Sequence, residues 1–244
     1  MPAPAPRPRP RSRARRRPAP MARAESSETA VARCPLPPRA RARAPVLASR
    51  APRLASASTA SATPLVVEPK TGLALPRAMT MERVALALAG LGVRVKRVAG
   101  LSVRVYACGL YVDAAAAKRA KARGGDPLEA LASCERSVRL VFARDVGGEK
   151  VVEALAERIR PKMESGSPAL RAFEKIFDGV SFKKGSSLDF TASARNELST
   201  RIRGARVSVI ADEKLCKALF DAYLGADPVV PSLKEDVRAF VAKL

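Results

Sequence analysis

The chain has 244 residues, a net charge of +22 and no histidine. The missing histidine excludes imidazole as a general base and as a metal ligand. Fourteen of the 45 basic residues, all Arg, and twelve of the 20 Pro fall within residues 1–63, where only Glu25 and Glu28 oppose them, so the net charge over 64–244 is +10. Residues 1–63 are too rich in Pro for a helix or a sheet ladder, and their apolar content is mostly Ala. An Arg-rich, Ser-rich and acid-poor stretch is the signature of an organelle transit peptide. The lack of amphipathic period favours a plastid, the mature start is expected between about 55 and 66, and Met21-Ala22 reads as a second start. An RNA-binding arm and a plain disordered tail stand as the alternatives. Residues 64–244 are long enough for one well-buried domain.

Beyond the leader, Val66-Val67 and Leu73–Leu75 read as short strands broken by turn residues. Residues 84–98 alternate weakly up to Ala99-Gly100, and LSVRVYACGLYVD (101–113) is the strongest strand in the chain. The Ala-rich run 114–123 predicts a helix ending at Gly124-Gly125, and Asp126-Pro127 opens a short one to about Ala132. SVRLVFAR (137–144) predicts a strand. Val151, Val152, Leu155 and Ile159 share one helical face, and Leu170, Phe173, Ile176 and Phe177 share another. Three strand-length segments follow between 187 and 210, with Arg195-Asn196 and Arg203-Gly204 at their turns. Two helical stripes close the chain, Leu215 to Tyr223 and Val237 to Leu244. Strands in two blocks with helices between and after them predict a single α+β domain.

The residues exclude several kinds of chemistry. No run reaches the roughly eighteen apolar residues of a membrane span, so no membrane segment is expected. Cys34, Cys108, Cys134 and Cys216 form no CxxC, and with no His they predict no metal site; the three beyond the leader read as small buried hydrophobes. Gly90-x-Gly92 lacks the third glycine of a dinucleotide loop, and neither GxxxxGK[ST] nor GxSxG occurs. No cofactor and no catalytic residue are predicted. The acid pairs Asp212-Glu213 and Glu235-Asp236 are placed in helix first turns, where carboxylates suit the dipole. The remaining +10 invites a nucleic-acid reading, but three Tyr and no Trp offer few stacking platforms. No nucleic-acid partner is expected.

The segment GLGVRVKRVAGLSVRVYACGLYVD (90–113) resembles the chalcone isomerase superfamily, and more closely its fatty-acid-binding members from plastids. VVEPKTGLALP (66–76), VRLVFARDVGGEKVVEAL (138–155), KKGSSLDFTAS (183–193) and LCKALFDAYLGADPVVPSLKEDV (215–237) are similar to further family segments in the same order. The resemblance implies an open-faced β-sandwich, a large antiparallel sheet under a layer of helices. It implies non-catalytic binding of a long-chain fatty acid in the chloroplast stroma, with chalcone–flavanone isomerisation as the alternative activity. The family's Arg matches Arg94. The enzymes' strand Thr falls at Tyr106, their helix Tyr and Asn fall near Lys150 and Glu157, and their last polar position falls near Ala222. These departures oppose isomerase activity. Lys150 and Glu157 read instead as a solvated helix face. The binding members pair an Arg with a Tyr, as Arg94 and Tyr106 do.

Ala99-Gly100 suggests a three-residue loop, Val98 to Gly100, with Arg97 facing Leu101 and Arg94 facing Arg104. Tyr106 is then a diagonal neighbour of Arg94 on the same face, about 7–8 Å away. That face reads Arg94, Lys96, Arg104, Tyr106, Cys108, Leu110 and Val112, cationic at one end and apolar at the other. The candidate ligand-binding residues are Arg94 and Tyr106 for the carboxylate, with Leu110 and Val112 along the tail. A strand simply passing from solvent into the core is the other reading of the same pattern.

Overall fold

The computed structural model describes residues 63–244 except Gly125. The reading of residues 1–63, including Met21 and Cys34, therefore lies outside the described residues, Thr63 apart. Among the described residues a seven-stranded antiparallel sheet forms the centre. Its order is β11 (Ala205–Ala211), β10 (Glu197–Ile202), β9 (Ser187–Ala192), β6 (Arg136–Phe142), β5 (Leu101–Val112), β4 (Val84–Val98) and β3 (Ala78–Met81). The expected α+β architecture, a large antiparallel sheet with a helical layer, is what the structure shows. Two small ladders flank the sheet: β1 (Leu65–Val67) with β2 (Ala74–Pro76), and β7 (Val146–Gly147) with β8 (Ser181–Phe182). Strands β3, β7 and β8 carry no clear alternation in so few residues, and the sequence did not announce them.

Helices start where a side chain can take up free backbone N–H groups. Asp113 caps α1 (Ala114–Ala122) through Ala116, and Asp126 caps α2 (Pro127–Ala130) through Leu128. Helix α3 (Gly148–Ile159) has no side-chain cap, whereas Ser167 caps α4 (Pro168–Lys175) and Asp212 caps α5 (Glu213–Leu224). Asp212-Glu213 thus sits at a helix start as expected. Glu235-Asp236 does not, because α6 (Pro231–Ala242) begins earlier, at a proline that suits the first turn. There the Asp236 carboxylate accepts the Leu91 backbone N–H of β4 at 3.2 Å.

Alternation gives the sheet two unlike faces. On the front, Tyr106, Cys108, Leu110 and Val112 line up with Val138, Leu140, Phe142, Leu188 and Phe190 beneath the helices, forming one continuous buried core. Phe142 stacks on Phe182 at 4.4 Å between ring centres. Helix α6 lies close on β4 because Gly90 and Gly92 offer no side chain there; a Cβ at Gly92 would stand 2.4 Å from Val230 Cγ1. The back face mixes two small apolar clusters, Ala107 and Val141 with Leu75 and Tyr111 with Met81 and Leu86, with polar ties. Arg139 grips the fully buried Asp189 directly across the ladder at 2.6 and 3.0 Å, and Ser137 bonds Thr191 at 2.9 Å. Glu82, in the β3–β4 turn, reaches Arg201 (2.9 Å) and Arg206 (3.1 Å) near the opposite edge, so the sheet curls onto its back face.

Candidate functional site

The β4–β5 hairpin places the predicted pair by a route the sequence did not disclose. Its loop has two residues, Ala99 and Gly100, not three. Both have positive φ (48° and 81°), and Val98 faces Leu101. Paired φ values of that sign match the right-handed strand twist, which is why two-residue hairpins favour them. The loop alone would pair Arg94 with Val105 and turn Tyr106 to the other face. A β-bulge prevents this: Val95 faces Arg104, Val105 is the extra residue, and Arg94 faces Tyr106 directly. The two changes compensate, so Arg94 and Tyr106 share the front face as direct rather than diagonal neighbours. Arg104 does not share it. In its place the front face carries Val103, opposite Lys96, and Leu101, opposite Val98.

Tyr106 is buried, with its ring edge-on to Phe142 at 5.9 Å. Burial and the neighbouring Cys108 thiol raise its pKa, while Tyr223 and Arg94 pull it down. Arg94 is half-buried and donates from Nη1 to the Val229 carbonyl at 3.1 Å, in the loop between α5 and α6. No carboxylate among the described residues pairs with it. The guanidinium therefore keeps N–H groups for another acceptor.

A third residue belongs to this place, and the sequence reading passed over it as one member of a helical stripe. Tyr223 of α5 is fully buried, and its hydroxyl has no hydrogen-bond partner. Burial first, and then the adjacent Tyr106 and Cys108, push its ionisation far above the usual range, with Arg94 acting in the opposite sense. The Tyr106 phenol is close enough to act on it, yet the two hydroxyls do not meet in ordinary hydrogen-bond geometry. An orphaned hydroxyl inside a core costs about 1–3 kcal/mol. The available signal was chemical: a tyrosine on a buried stripe needs a partner for its hydroxyl, which phenylalanine does not.

Leu110 and Val112 continue the same face away from the pair, and both are completely buried under the helices. Their places are filled by protein. Two clefts among the described residues lie elsewhere: one of about 570 Å³ is lined by Leu131, Arg136, Phe220 and Lys234, another of about 330 Å³ by Leu88, Gly90 and Phe240. Neither touches Arg94 or Tyr106. Lys150 and Glu157 are exposed on α3, and Ala222 is buried on α5. Cys108, Cys134 and Cys216 are buried free thiols, and burial raises the pKa of each, that of Cys216 to about 11. Among the described residues, no cluster of acids and thiols is arranged to hold a metal, and no helix is long and apolar enough to cross a membrane.

The curled antiparallel sheet, the helices on one face and a cation beside a buried phenol define a protein of the chalcone-isomerase-like fold. The profile described as chalcone isomerase-like matches residues 68–237. The chain belongs to that family. It is 29% identical over 202 residues to fatty-acid-binding protein 1 of Arabidopsis thaliana, spanning 73% of this chain and 71% of that protein. It is 28% identical over 195 residues to chalcone isomerase-like protein 1 of Humulus lupulus, spanning 70% and 88%, and 26% identical over 183 residues to a chalcone–flavanone isomerase of Zea mays, spanning 64% and 79%. The crystal structure of an Arabidopsis thaliana fatty-acid-binding protein superposes with a TM-score of 0.64 at 25% identity, covering 74% of this chain and 98% of that one.

Proposed function

We propose that the protein binds a long-chain fatty acid without turning it over, in the stroma of a plastid. One observation carries the reading: Arg94, Tyr106 and the unpartnered Tyr223 hydroxyl gather at one spot on the front face. A carboxylate supplies what all three lack. Its two oxygens match the guanidinium fork, and two phenols donate to the lone pairs left over. The tail follows Leu110 and Val112, taking room between sheet and helices as the α5–α6 loop gives way. Each buried CH₂ contributes about 0.8 kcal/mol before the costs of binding. Relatives named fatty-acid-binding proteins support the ligand class. The absence of turnover rests on Lys150 and Glu157, which face solvent, and on apolar Ala222. The location rests on the composition of residues 1–63.

Organic extraction of the purified protein, followed by mass spectrometry, should release an acyl chain. Titration of the delipidated protein should then show saturable binding of the same acid. Failure of both removes the reading. N-terminal sequencing of protein from its native cell tests the location, with a start near residues 55–66 expected and an intact Met1 or Met21 refuting it.

A further inference from the structure

The β4–β5 hairpin runs on past the site into solvent. Strand β6 pairs with β5 only from Tyr106 onward, and β3 pairs with β4 only as far as Ala87. Beyond the Arg94–Tyr106 pair the two strands therefore stand alone as a ribbon of about 15 Å, at about 3.4 Å per residue. Its end is apolar: Val98 is 52% exposed and Leu101 72%, with Val95, 40% exposed, further back in the row of Arg104. Behind that tip stand Lys96, Arg97 and Arg104, all exposed and none in an ion pair among the described residues. From Gly90 to Val112 there is no acid at all.

We propose that this hairpin docks on the surface of an anionic lipid bilayer, a binding surface beyond the fatty-acid site and independent of it. Aliphatic side chains at the turn enter the boundary between headgroups and acyl chains, and cations set back by one to three residues meet the phosphates. The outward N–H and C=O groups of a lone ribbon need water or headgroups, which stops it at that depth. Nucleic acid fits poorly, because the hairpin offers no aromatic ring for a base to stack on. An acidic protein would satisfy the cations but gives no reason for bare Val98 and Leu101 at the turn. Docking places the front-face strip, Leu101 and Val98 followed by Val103 and Lys96, between the bilayer and the Arg94–Tyr106 pair.

The chain has no tryptophan, so one introduced at the tip reports alone. Full-length Leu101→Trp should shift its emission to the blue on vesicles of mixed phosphatidylcholine and phosphatidylglycerol, and brominated acyl chains should quench it. Val209→Trp, 52% exposed on β11 in the ladder row of Tyr111, should do neither, although the arginines of residues 1–63 bring it to the same vesicles. Adding Lys96→Gln, Arg97→Gln and Arg104→Gln to Leu101→Trp should lower the ratio of inserted to free tip on the same vesicles about a hundred-fold, at about five-fold per cation, and so abolish the shift. Val98→Trp gives a second reporter should Leu101→Trp fold poorly. Tip emission unmoved by anionic vesicles, or moved no more than that of Val209→Trp, overturns the proposal. So does tip emission indifferent to vesicles but shifted by a soluble acidic protein.

Discussion

Tyr223→Phe separates a binding site from an ordinary core, because it should strengthen the free protein and weaken the complex. In the free protein the Tyr223 ring is fully buried and its hydroxyl has no partner. Phenylalanine keeps the ring and deletes the group that is stripped of water for nothing. An unsatisfied buried hydroxyl costs about 1–3 kcal/mol, and the small void left by its removal takes back part of that. A net gain of about 1 kcal/mol raises Tm by about 2–4 °C for a domain of this size. The same hydroxyl becomes a donor once a carboxylate enters, so the variant should lose about 1–1.5 kcal/mol of affinity, roughly five- to ten-fold. Differential scanning calorimetry on delipidated protein and isothermal titration with the acid measure the two effects. A lower Tm in Tyr223→Phe would mean that the hydroxyl is already satisfied in the free protein. An unchanged affinity would mean that the carboxylate does not reach it. Either result refutes the assignment of Tyr223 to the site.

Arg94→Ala should cost about 1.5–3 kcal/mol of acid affinity, ten- to a hundred-fold, while a methyl ester binds it and the native protein almost equally; equal binding of the free acid would return Arg94 to the surface. The pKa of Glu82 is lowered, chiefly by its bond to Arg201, so its carboxylate stabilises the fold at neutral pH and loses that contribution as pH falls through the lowered value. Glu82→Gln should therefore destabilise by about 1 kcal/mol at pH 7, solvent screening included, and denaturant curves should show the gap closing with acid; a gap that widens contradicts the linkage. Gly92→Ala sets a Cβ 2.4 Å from Val230 Cγ1 and 2.8 Å from Ser232 Oγ, so urea melts should show a loss of about 1–3 kcal/mol from overpacking. A neutral result would mean that α6 is free to slide on β4.

The strands and helices of this chain were largely legible because their patterns are local. Alternation announced β5, and helical stripes announced α3 and α5. The cap at Asp126 stands in the sequence as it stands in the fold, and Asp212, which reads as a first-turn carboxylate, caps α5. Facing residues across the hairpin were not legible in the same way, since register depends on the sum of a loop length and a bulge. The loop is one residue shorter than Ala99-Gly100 suggests, and nothing local marks the bulge at Val105. For the face of Tyr106, which lies beyond both, the two differences cancel; for Arg104, which lies between them, they do not. Tyr223 and Asp236 eluded the reading for a further reason. Each acts through a partner distant in sequence, and no period marks which buried hydroxyl is orphaned or which mid-helix carboxylate reaches a strand.

The two faces of the sheet differ in their polar ties, and that difference bears on where the proposed ligand would enter. The back face adds directed bonds to its apolar clusters, Arg139 to Asp189, Ser137 to Thr191, and the Tyr111 hydroxyl to the Pro76 carbonyl at 2.8 Å. An acyl chain offers nothing to replace any of them, and parting Arg139 from the buried Asp189 would strand a charge. On the front face most contacts with α5 and α6 are apolar, Arg136 over the Phe220 ring and Asp236 at the Leu91 N–H apart, and apolar contacts have no required partner; a methylene chain substitutes for a displaced side chain at small cost. The loop joining those helices buries Val229 and Val230, bonds the Val229 N–H to the Ala222 carbonyl at 2.8 Å, and has three side-chain ties: Arg94 to the Val229 carbonyl, Arg158 to Asp227, and Lys234 to the Gly225 carbonyl at 2.7 Å. One of these ties is the guanidinium that the carboxylate would claim. Arg94 can exchange the Val229 carbonyl for a charged acceptor, which binds it more strongly. On the proposed reading, the residue that would recognise the head is thus also the one that would release the loop over the tail.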